Sequence, residues 1–320
     1  MKMNALLTHL PSSIRAPIAY ALSHYDRSVH ELRFRVGYPP SITSFDRNLF
    51  ISKSGDVHVI PRNDFIIGRE ELSAIFLSAC QHSVYAYSKE LKNGFITLAG
   101  GYRMGIAGRF VYDGGSIQTV SDISSLSIRI PDEKKGCAAP IIPFLFVEGS
   151  IRSCAVISPP GGGKTTLLRD TARSLSMRGK RVCVIDERHE LAGCRDGIPS
   201  FELGPLTDVL DSCSKTDGLS CALRCLSPNV IIMDELGEEK ESHMILQGIN
   251  GGVATVFSLH AASLQQAVRR LALHVLLRNK ALELIVLLSD ASSPGKIARI
   301  YDLTDREDAQ LVEDAWNSSA

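Results

Sequence analysis

The two halves of the chain carry different hydrophobic rhythms. In the second half, apolar runs recur at 151–157, 182–185, 230–233 and 253–257, with helical patterns between them. A run that is apolar at nearly every position is a strand buried on both faces. Strands of that kind alternating with helices predict a parallel sheet covered on both sides. Leu167, Leu168, Thr171, Ala172 and Leu175 form one helical stripe, which stops at Gly179 as a capping glycine. Leu219, Ala222, Leu223 and Leu226 form a second, ending before Pro228. A third runs from Ser263 through Leu264, Ala267, Val268, Leu271, Ala272 and Val275. Leu282 to Leu288 and Ile297 to Tyr301 are predicted to close the sheet.

The first half predicts an antiparallel α+β unit. Residues 5–30 have a helical pattern, with Pro11 and Pro17 complicating its start. Leu32, Phe34 and Val36 alternate with Arg33 and Arg35, a half-buried strand, before the turn Gly37-Tyr38-Pro39-Pro40. Short strands are expected near Leu49–Ile51 and Val57–Ile60, and a helix over 69–93 ending at Asn93-Gly94. Phe95–Leu98, Tyr102–Tyr112 and Ser116–Ile130 read as strands, the second interrupted by Gly105 and Gly108. Asp113-Gly114-Gly115 is a hairpin signal. Pro131, Gly136, Pro140, Pro143 and Gly149 accumulate where the rhythm changes. The expected division is therefore an α+β domain over 1–145, with a subdivision near residue 80 left open, and an α/β domain over 146–320.

Composition narrows the function classes. Lys plus Arg equals Asp plus Glu at 35 each, so there is no general polyanion-binding signal and no nucleic-acid partner is expected. No apolar stretch reaches the length of a membrane span, and Thr8, His9 and Pro11 cut short the weakly apolar start, so neither a spanning helix nor a signal peptide is expected. The eight cysteines are scattered. Cys221 and Cys225 are the closest pair, with no second Cys/His pair at zinc spacing, which predicts cytosolic thiols.

The candidate chemistry lies at the strand ends. Ser158-Pro159-Pro160-Gly161-Gly162-Gly163-Lys164-Thr165-Thr166 joins the 151–157 strand to the first helix of the second half. Strand, glycine-rich turn, Lys-Thr and helix make a phosphate-binding loop. Glycines let backbone N–H groups close on phosphate oxygens, and the helix N-terminus adds partial positive charge. Lys164 can reach the β- and γ-phosphates, and Thr165 can place its hydroxyl on Mg²⁺. Ser158 stands where the usual pattern has its first glycine. An ordinary glycine-rich turn is the competing reading. A loop of this kind calls for a carboxylate at a strand end, which Val230-Ile231-Ile232-Met233-Asp234-Glu235 supplies. Asp234 is expected to orient Mg²⁺ and Glu235 to polarise the attacking water, against a mere surface acid pair. Asp186, Glu187 and Glu190 follow the 182–185 strand, with Glu187 the stronger candidate for catalysis. His260 ends the 253–259 strand and is placed to sense a γ-phosphate or to sit as a rim histidine. Arg103, Arg109 and Arg129 lie on predicted strands of the first half, as solvated side chains or as arginine fingers.

Further segments make the pattern specific: Gln81-His82-Ser83-Val84-Tyr85, Gly94-Phe95-Ile96-Thr97, Gly100-Gly101-Tyr102-Arg103-Met104-Gly105, Asp122 to Ile130, Asp186 to Gly193, Thr207 to Asp211 and Ser227 to Glu235. With the phosphate loop, they resemble the stage III sporulation protein AA family, within the secretion ATPase superfamily of type II secretion and type IV pilus motors. The resemblance runs from about residue 80 to 302, and more loosely through Glu31 to Gly37. It implies a RecA-like P-loop ATPase domain using ATP and Mg²⁺. It matches Asp186, Glu187 and Glu190 to an acidic box, His260 to a histidine box, and Arg103 and Arg109 to arginines acting across a subunit boundary. It further implies a homohexameric motor in the mother-cell cytoplasm, at the membrane facing the forespore, on an integral membrane platform protein of a secretion-like channel. Leu206 and Glu238 depart from it, each standing where an arginine is expected. A nucleotide-gated scaffold with little hydrolysis and a RecA-like nucleic-acid motor are the alternatives.

Overall fold

A computed structural model describes residues 2–25, 29–44, 47–92, 94–113, 116–131, 133–195, 197–290 and 292–317. Asn93, Gly114 and Gly115, predicted as turn residues, lie outside the described residues. The chain packs as two units, Met1–Asp132 with Cys194–Asp196, and Glu133–Gly193 with Gly197–Ala320.

The first unit contains α1 (Lys2–Leu7), α2 (Ser12–His24), β1 (Glu31–Arg35), β2 (Ser41–Ser44), β3 (Arg47–Ile51), β4 (Val57–His58), α3 (Arg69–Ala79), α4 (Ser88–Lys92), β5 (Phe95–Leu98), β6 (Tyr102–Asp113) and β7 (Ser116–Arg129). Its sheet has the order β4-β3-β2-β1-β7-β6-β5, and every pairing is antiparallel. One face is apolar: Leu32, Phe34, Met104, Leu126 and Ile128 join Ile14, Ile18, Leu72 and Ile75 of the helices in one core. The opposite face carries Arg33 and Arg35, as the alternation requires.

Both long helical predictions for this unit break. Pro11, extended at φ −53° and ψ 150°, separates α1 from α2. The 69–93 pattern stops at Ala79 because Gln81 and His82 take left-handed φ of 49° and 60°. The N–H of His82 then closes on the Leu77 carbonyl at 2.8 Å, and a tight turn at Val84–Tyr87 leads into α4. β6 and β7 run as one long pair whose register shifts between Ala107 and Arg109, so Gly108 marks a bulge rather than a strand break. β2 has no apolar run to announce it.

The second unit contains α5 (Ile142–Leu145), β8 (Phe146–Val147), β9 (Ser150–Ile151), β10 (Cys154–Ser158), α6 (Lys164–Ser176), β11 (Val182–Asp186), β12 (Thr207–Asp211), α7 (Lys215–Cys221), β13 (Val230–Met233), α8 (Glu239–Asn250), β14 (Ala254–His260), α9 (Leu264–Val268), α10 (Leu271–Arg278), β15 (Leu284–Leu288), β16 (Ile297–Asp302) and α11 (Arg306–Asn317). The main sheet has the order β12-β11-β13-β14-β10-β15-β16, parallel except for β16 at its edge. β10, β11 and β13 are buried at every position, which is why they read as continuous apolar runs. Ile185, Ile231 and Met233 pack with Leu219 of α7 and Ile245 of α8.

Three details differ from the pattern. The stripe from Ser263 is two helices, because Arg270 is extended at ψ 120°. The Leu219 stripe leaves α7 through a wider π-type turn at Ala222–Leu226. Residues before 146 already pack with this unit: Ala138 is buried, and its N–H donates to Asp170 of α6 at 2.8 Å.

Candidate active site

Parallel register gathers four distant loops at one sheet edge. Ser158 is level with His260, Ile185 with Met233, and Asp186 with Asp211. The segments after β10, β11, β13 and β14 therefore open on the same side, at the carboxyl ends of the strands, where open α/β sheets bind ligands. They enclose a cleft of about 380 Å³. Pro160, Gly161, Gly163, Lys164, Thr165, Thr166, Glu187, Glu190, Asp234, Glu235 and His260 line it, joined by Ile185, Arg188 and Lys215.

The phosphate loop is held in shape from behind. Gly163 precedes α6 at φ +90°, and an added Cβ there would sit 2.6 Å from the Gly295 nitrogen, so only glycine fits. The Gly295 N–H donates to the Gly162 carbonyl at 2.9 Å. Ser158 is fully buried, and its hydroxyl donates to the Pro159 carbonyl at 2.9 Å. Lys164 is also buried. Its ammonium shares its three protons among four acceptors within reach, the carbonyls of Ser158 (3.0 Å) and Pro159 (3.1 Å), the Ser158 hydroxyl (3.2 Å) and Nδ1 of His260 (2.9 Å). Burial pulls its pKa below the ordinary lysine value, while Asp234 and Glu235 push it back up.

An ammonium can only donate, so Nδ1 of His260 is the acceptor and the ring proton sits on Nε2. That nitrogen faces Oε2 of Glu235 at 3.9 Å. His260 thus contacts Lys164 directly and lies near Glu235.

Asp234 is fixed from two sides, by the Ser258 hydroxyl on Oδ1 at 2.8 Å and by the Thr165 hydroxyl facing Oδ2 at 3.5 Å. Among the described residues no group of three or more His, Cys, Asp or Glu side chains is arranged to hold a metal ion. Two hard oxygens from hydroxyl and carboxylate fit Mg²⁺, which takes few protein ligands and completes its shell with phosphate oxygens and water. Charge agrees. Three cations, Lys164, Arg188 and Lys215, face four carboxylates, Glu187, Glu190, Asp234 and Glu235. A polyphosphate entering this cleft needs an accompanying cation.

The acidic segment after β11 divides into two roles. Asp186 is buried and turned away from the cleft. Its Oδ1 accepts from the N–H groups of Glu190 (2.8 Å) and Leu191 (3.1 Å), and its Oδ2 from Ala192 (2.8 Å) and Gly193 (3.2 Å). It shapes the loop that presents Glu187 and Glu190. Arg169 of α6 supports the same loop through the carbonyls of Leu191 (2.9 Å) and Glu190 (2.8 Å). Glu187 faces the cleft and pairs with Lys215 at 3.2 Å.

Arg103, Arg109 and Arg129 belong to the first unit, whereas every residue lining the cleft belongs to the second. Arg103 lies over the Phe95 ring at 4.1 Å and is level with Arg129 across β6 and β7. Arg109 pairs with Asp122 at 3.2 Å, both exposed.

Lys215 and Ser258 escaped sequence reasoning, and Arg188 figured there only as part of the segment 186–190. Lys215 left a readable trace. It opens α7 behind the Ser214 cap, where the helix dipole disfavours a cation and nearby carboxylates offset that cost. The cysteines lie elsewhere, and among the described residues no disulfide joins any of them. No helix of the described residues is long and apolar enough to cross a membrane.

The family model for sporulation stage III, protein AA matches residues 2–307. The chain belongs to that family. Stage III sporulation protein AA of Bacillus subtilis (strain 168) is 34% identical over 306 residues, covering 94% of this chain and 95% of the relative. Among solved structures, the pilus retraction motor PilT with bound ADP superposes at a TM-score of 0.58 with 13% identity, over 92% of this chain and 85% of that one. The Legionella pneumophila ATPase DotB superposes at 0.57 with 14% identity, over 97% and 88%. At such identities the likeness is one of fold. This member of the sporulation family has the α/β fold of the secretion ATPases, a RecA-like P-loop domain behind an N-terminal α+β domain.

Proposed function

We propose that this protein is a Mg²⁺-dependent ATPase and the motor of a secretion-like channel complex between mother cell and forespore. One observation carries the reading. Lys164 and Thr165, Asp234 and Glu235, and His260 come from three separate segments and converge on one cleft at the carboxyl edge of a parallel sheet. The fold neighbours point the same way, since DotB is described as an ATPase and PilT as a retraction motor bound to ADP.

The residues divide the work. Backbone N–H groups of the loop and the α6 N-terminus cradle the phosphates. Lys164 exchanges the Ser158 and Pro159 carbonyls for β- and γ-phosphate oxygens. Thr165 and Asp234 would hold Mg²⁺, which when bound would neutralise charge developing on the β- and γ-phosphates. Glu235 accepts a hydrogen bond from the attacking water, and His260, which accepts from Lys164, stands beside that carboxylate. Glu187 and Glu190 complete the polar wall, with Glu187 the second candidate for orienting water. Arg103 and Arg109 act in trans in a homohexameric ring, where guanidinium adds charge stabilisation in the transition state. Such a ring sits in the mother-cell cytoplasm against an integral membrane platform protein.

The test is ATPase rate against protein concentration, with mass measured in parallel, for wild type, Lys164→Ala and Glu235→Gln. A rate per chain that rises with assembly, with nucleotide binding lost in Lys164→Ala and turnover alone lost in Glu235→Gln, is expected. Wild-type turnover in Lys164→Ala would sink the site. Binding without single-turnover hydrolysis in assembled wild type would leave a nucleotide-gated scaffold instead.

A further inference from the structure

We propose that Lys215 is a positioning residue, joining the two carboxylate-bearing arms of the cleft so that Glu187 faces the reacting phosphate. The proposal deepens the ATPase reading and rests on it. Lys215 is largely shielded, and its ammonium sits between two carboxylates, Oε2 of Glu187 at 3.2 Å and Oε1 of Glu241 at 3.5 Å. Glu187 belongs to the segment after β11, and Glu241 to the first turn of α8, which follows the segment after β13. Glu241 is itself buried, and its other oxygen accepts the N–H groups of Gly237 (2.9 Å) and Glu238 (3.2 Å). Those two residues follow the Asp234-Glu235 pair after one intervening residue, Leu236.

One continuous path therefore runs from Glu187 through Lys215 and Glu241 to the backbone just beyond the Asp234-Glu235 pair. The ends of that path are the two carboxylates best placed to orient a water, Glu187 and Glu235. Both side chains are about 39% exposed, so solvent alone does not fix either orientation. A cation fixed between Glu187 and a buried partner does fix one of them. Lys215 gains little by helix formation at its own position, because it heads α7 against the dipole. Its charge is spent on the two carboxylates, so the role is geometry rather than phosphate binding.

Replacing Lys215 by Met keeps the apolar stem and removes the tie. Displacing a reacting group by about 1 Å costs on the order of 10²-fold in rate. Lys215→Met is expected to lower kcat by about that factor, with a much smaller change in KM. Lys215→Arg, which spans both carboxylates, is expected to recover much of the loss. Glu187→Gln with Lys215→Met is expected to be no slower than the slower single variant, because both remove one positioned carboxylate.

Wild-type turnover and its loss in Lys164→Ala are read first and test only the ATPase reading. Within an active enzyme, an unchanged kcat in Lys215→Met, or losses that multiply in the double variant, overturn the proposal. A thermal-denaturation cycle on Lys215→Met and Glu241→Gln tests the tie without turnover. Strongly coupled Tm losses are expected, and additive ones overturn it.

Discussion

Asp186 is the sharpest place to separate structure from chemistry, because sequence spacing puts it among the catalytic acids and the fold turns it away. Replacing it with Asn preserves size and removes the charge. One carboxylate oxygen becomes an NH₂ group, which cannot accept. Whichever way the amide settles, two of the four backbone N–H groups that Asp186 now holds lose their acceptor. The site is buried, so water does not replace it. An unsatisfied buried donor costs roughly 1–3 kcal/mol, and the two surviving bonds weaken when the acceptor loses its charge. The expected loss is therefore about 3–4 kcal/mol in the second unit, or on the order of 10 °C in its transition. Thermal denaturation with and without nucleotide reads it. Glu187→Gln, one residue along, is expected to melt like wild type while losing turnover. An Asp186→Asn variant with wild-type stability and no turnover would refute the structural role and return Asp186 to the catalytic set.

Two further outcomes follow from other contacts. Asp302 is held by Arg152, with Nη1 to Oδ2 at 3.0 Å, and this bond, outweighing burial, pulls its pKa well below the ordinary carboxylate range. Its contribution is therefore full above about pH 4 and is lost as pH falls towards the depressed value. Asp302→Asn is expected to cost about 1–2 kcal/mol at pH 7, with the two melting curves converging in acid. Arg103→Ala is expected to leave ATP binding intact and cut turnover by about 10³-fold in assembled protein. An unchanged rate would remove it from the site.

The strand ends were legible in the sequence because burial writes them plainly. β10, β11, β13 and β14 are covered on both faces, so each appears as an apolar run ending in a polar residue. β12 left no such run, although it pairs with β11 along its whole length. It is the sheet's edge strand, half exposed throughout, and Thr207-Asp208-Val209-Leu210-Asp211 has no need of continuous hydrophobicity. β2 escaped for a different reason: three of its four positions are buried, but Ser41-Ile42-Thr43-Ser44 fills two of them with serine and has one apolar position. Helix breaks were harder still. Gln81, His82 and Arg270 carry no glycine or proline signal, and only tertiary packing selects their conformations.

Side-chain direction was the other illegible quantity. Sequence reasoning favours Glu187 over Asp186 but does not fix where either side chain points. Alternation along β11 sends them to opposite sides, one under the loop and one into the cleft. Lys215 lies 28 positions beyond Glu187 and meets it only through the parallel pairing of β11 with β12 and the return of α7 over that strand.

The same placement decides what the family departures mean. Leu206 precedes β12, and its carbonyl accepts from Val182 at the start of β11. The cleft lies at the other end of these strands, about 16 Å away for five residues at strand rise. An arginine missing at 206 is therefore not missing from this cleft. Glu238 sits at the head of α8, where the dipole favours an acid and disfavours arginine, and it pairs with Lys240 at 2.8 Å. Ser158 fills its position snugly. An added Cβ on Gly162 would come within 2.8 Å of the Ser158 Cβ, so the serine is accommodated because Gly162, four residues along, carries no side chain. Its hydroxyl also gives Lys164 an acceptor that glycine could not offer. Each departure is thus answered locally, and none takes a cation or carboxylate from the set that faces the phosphates.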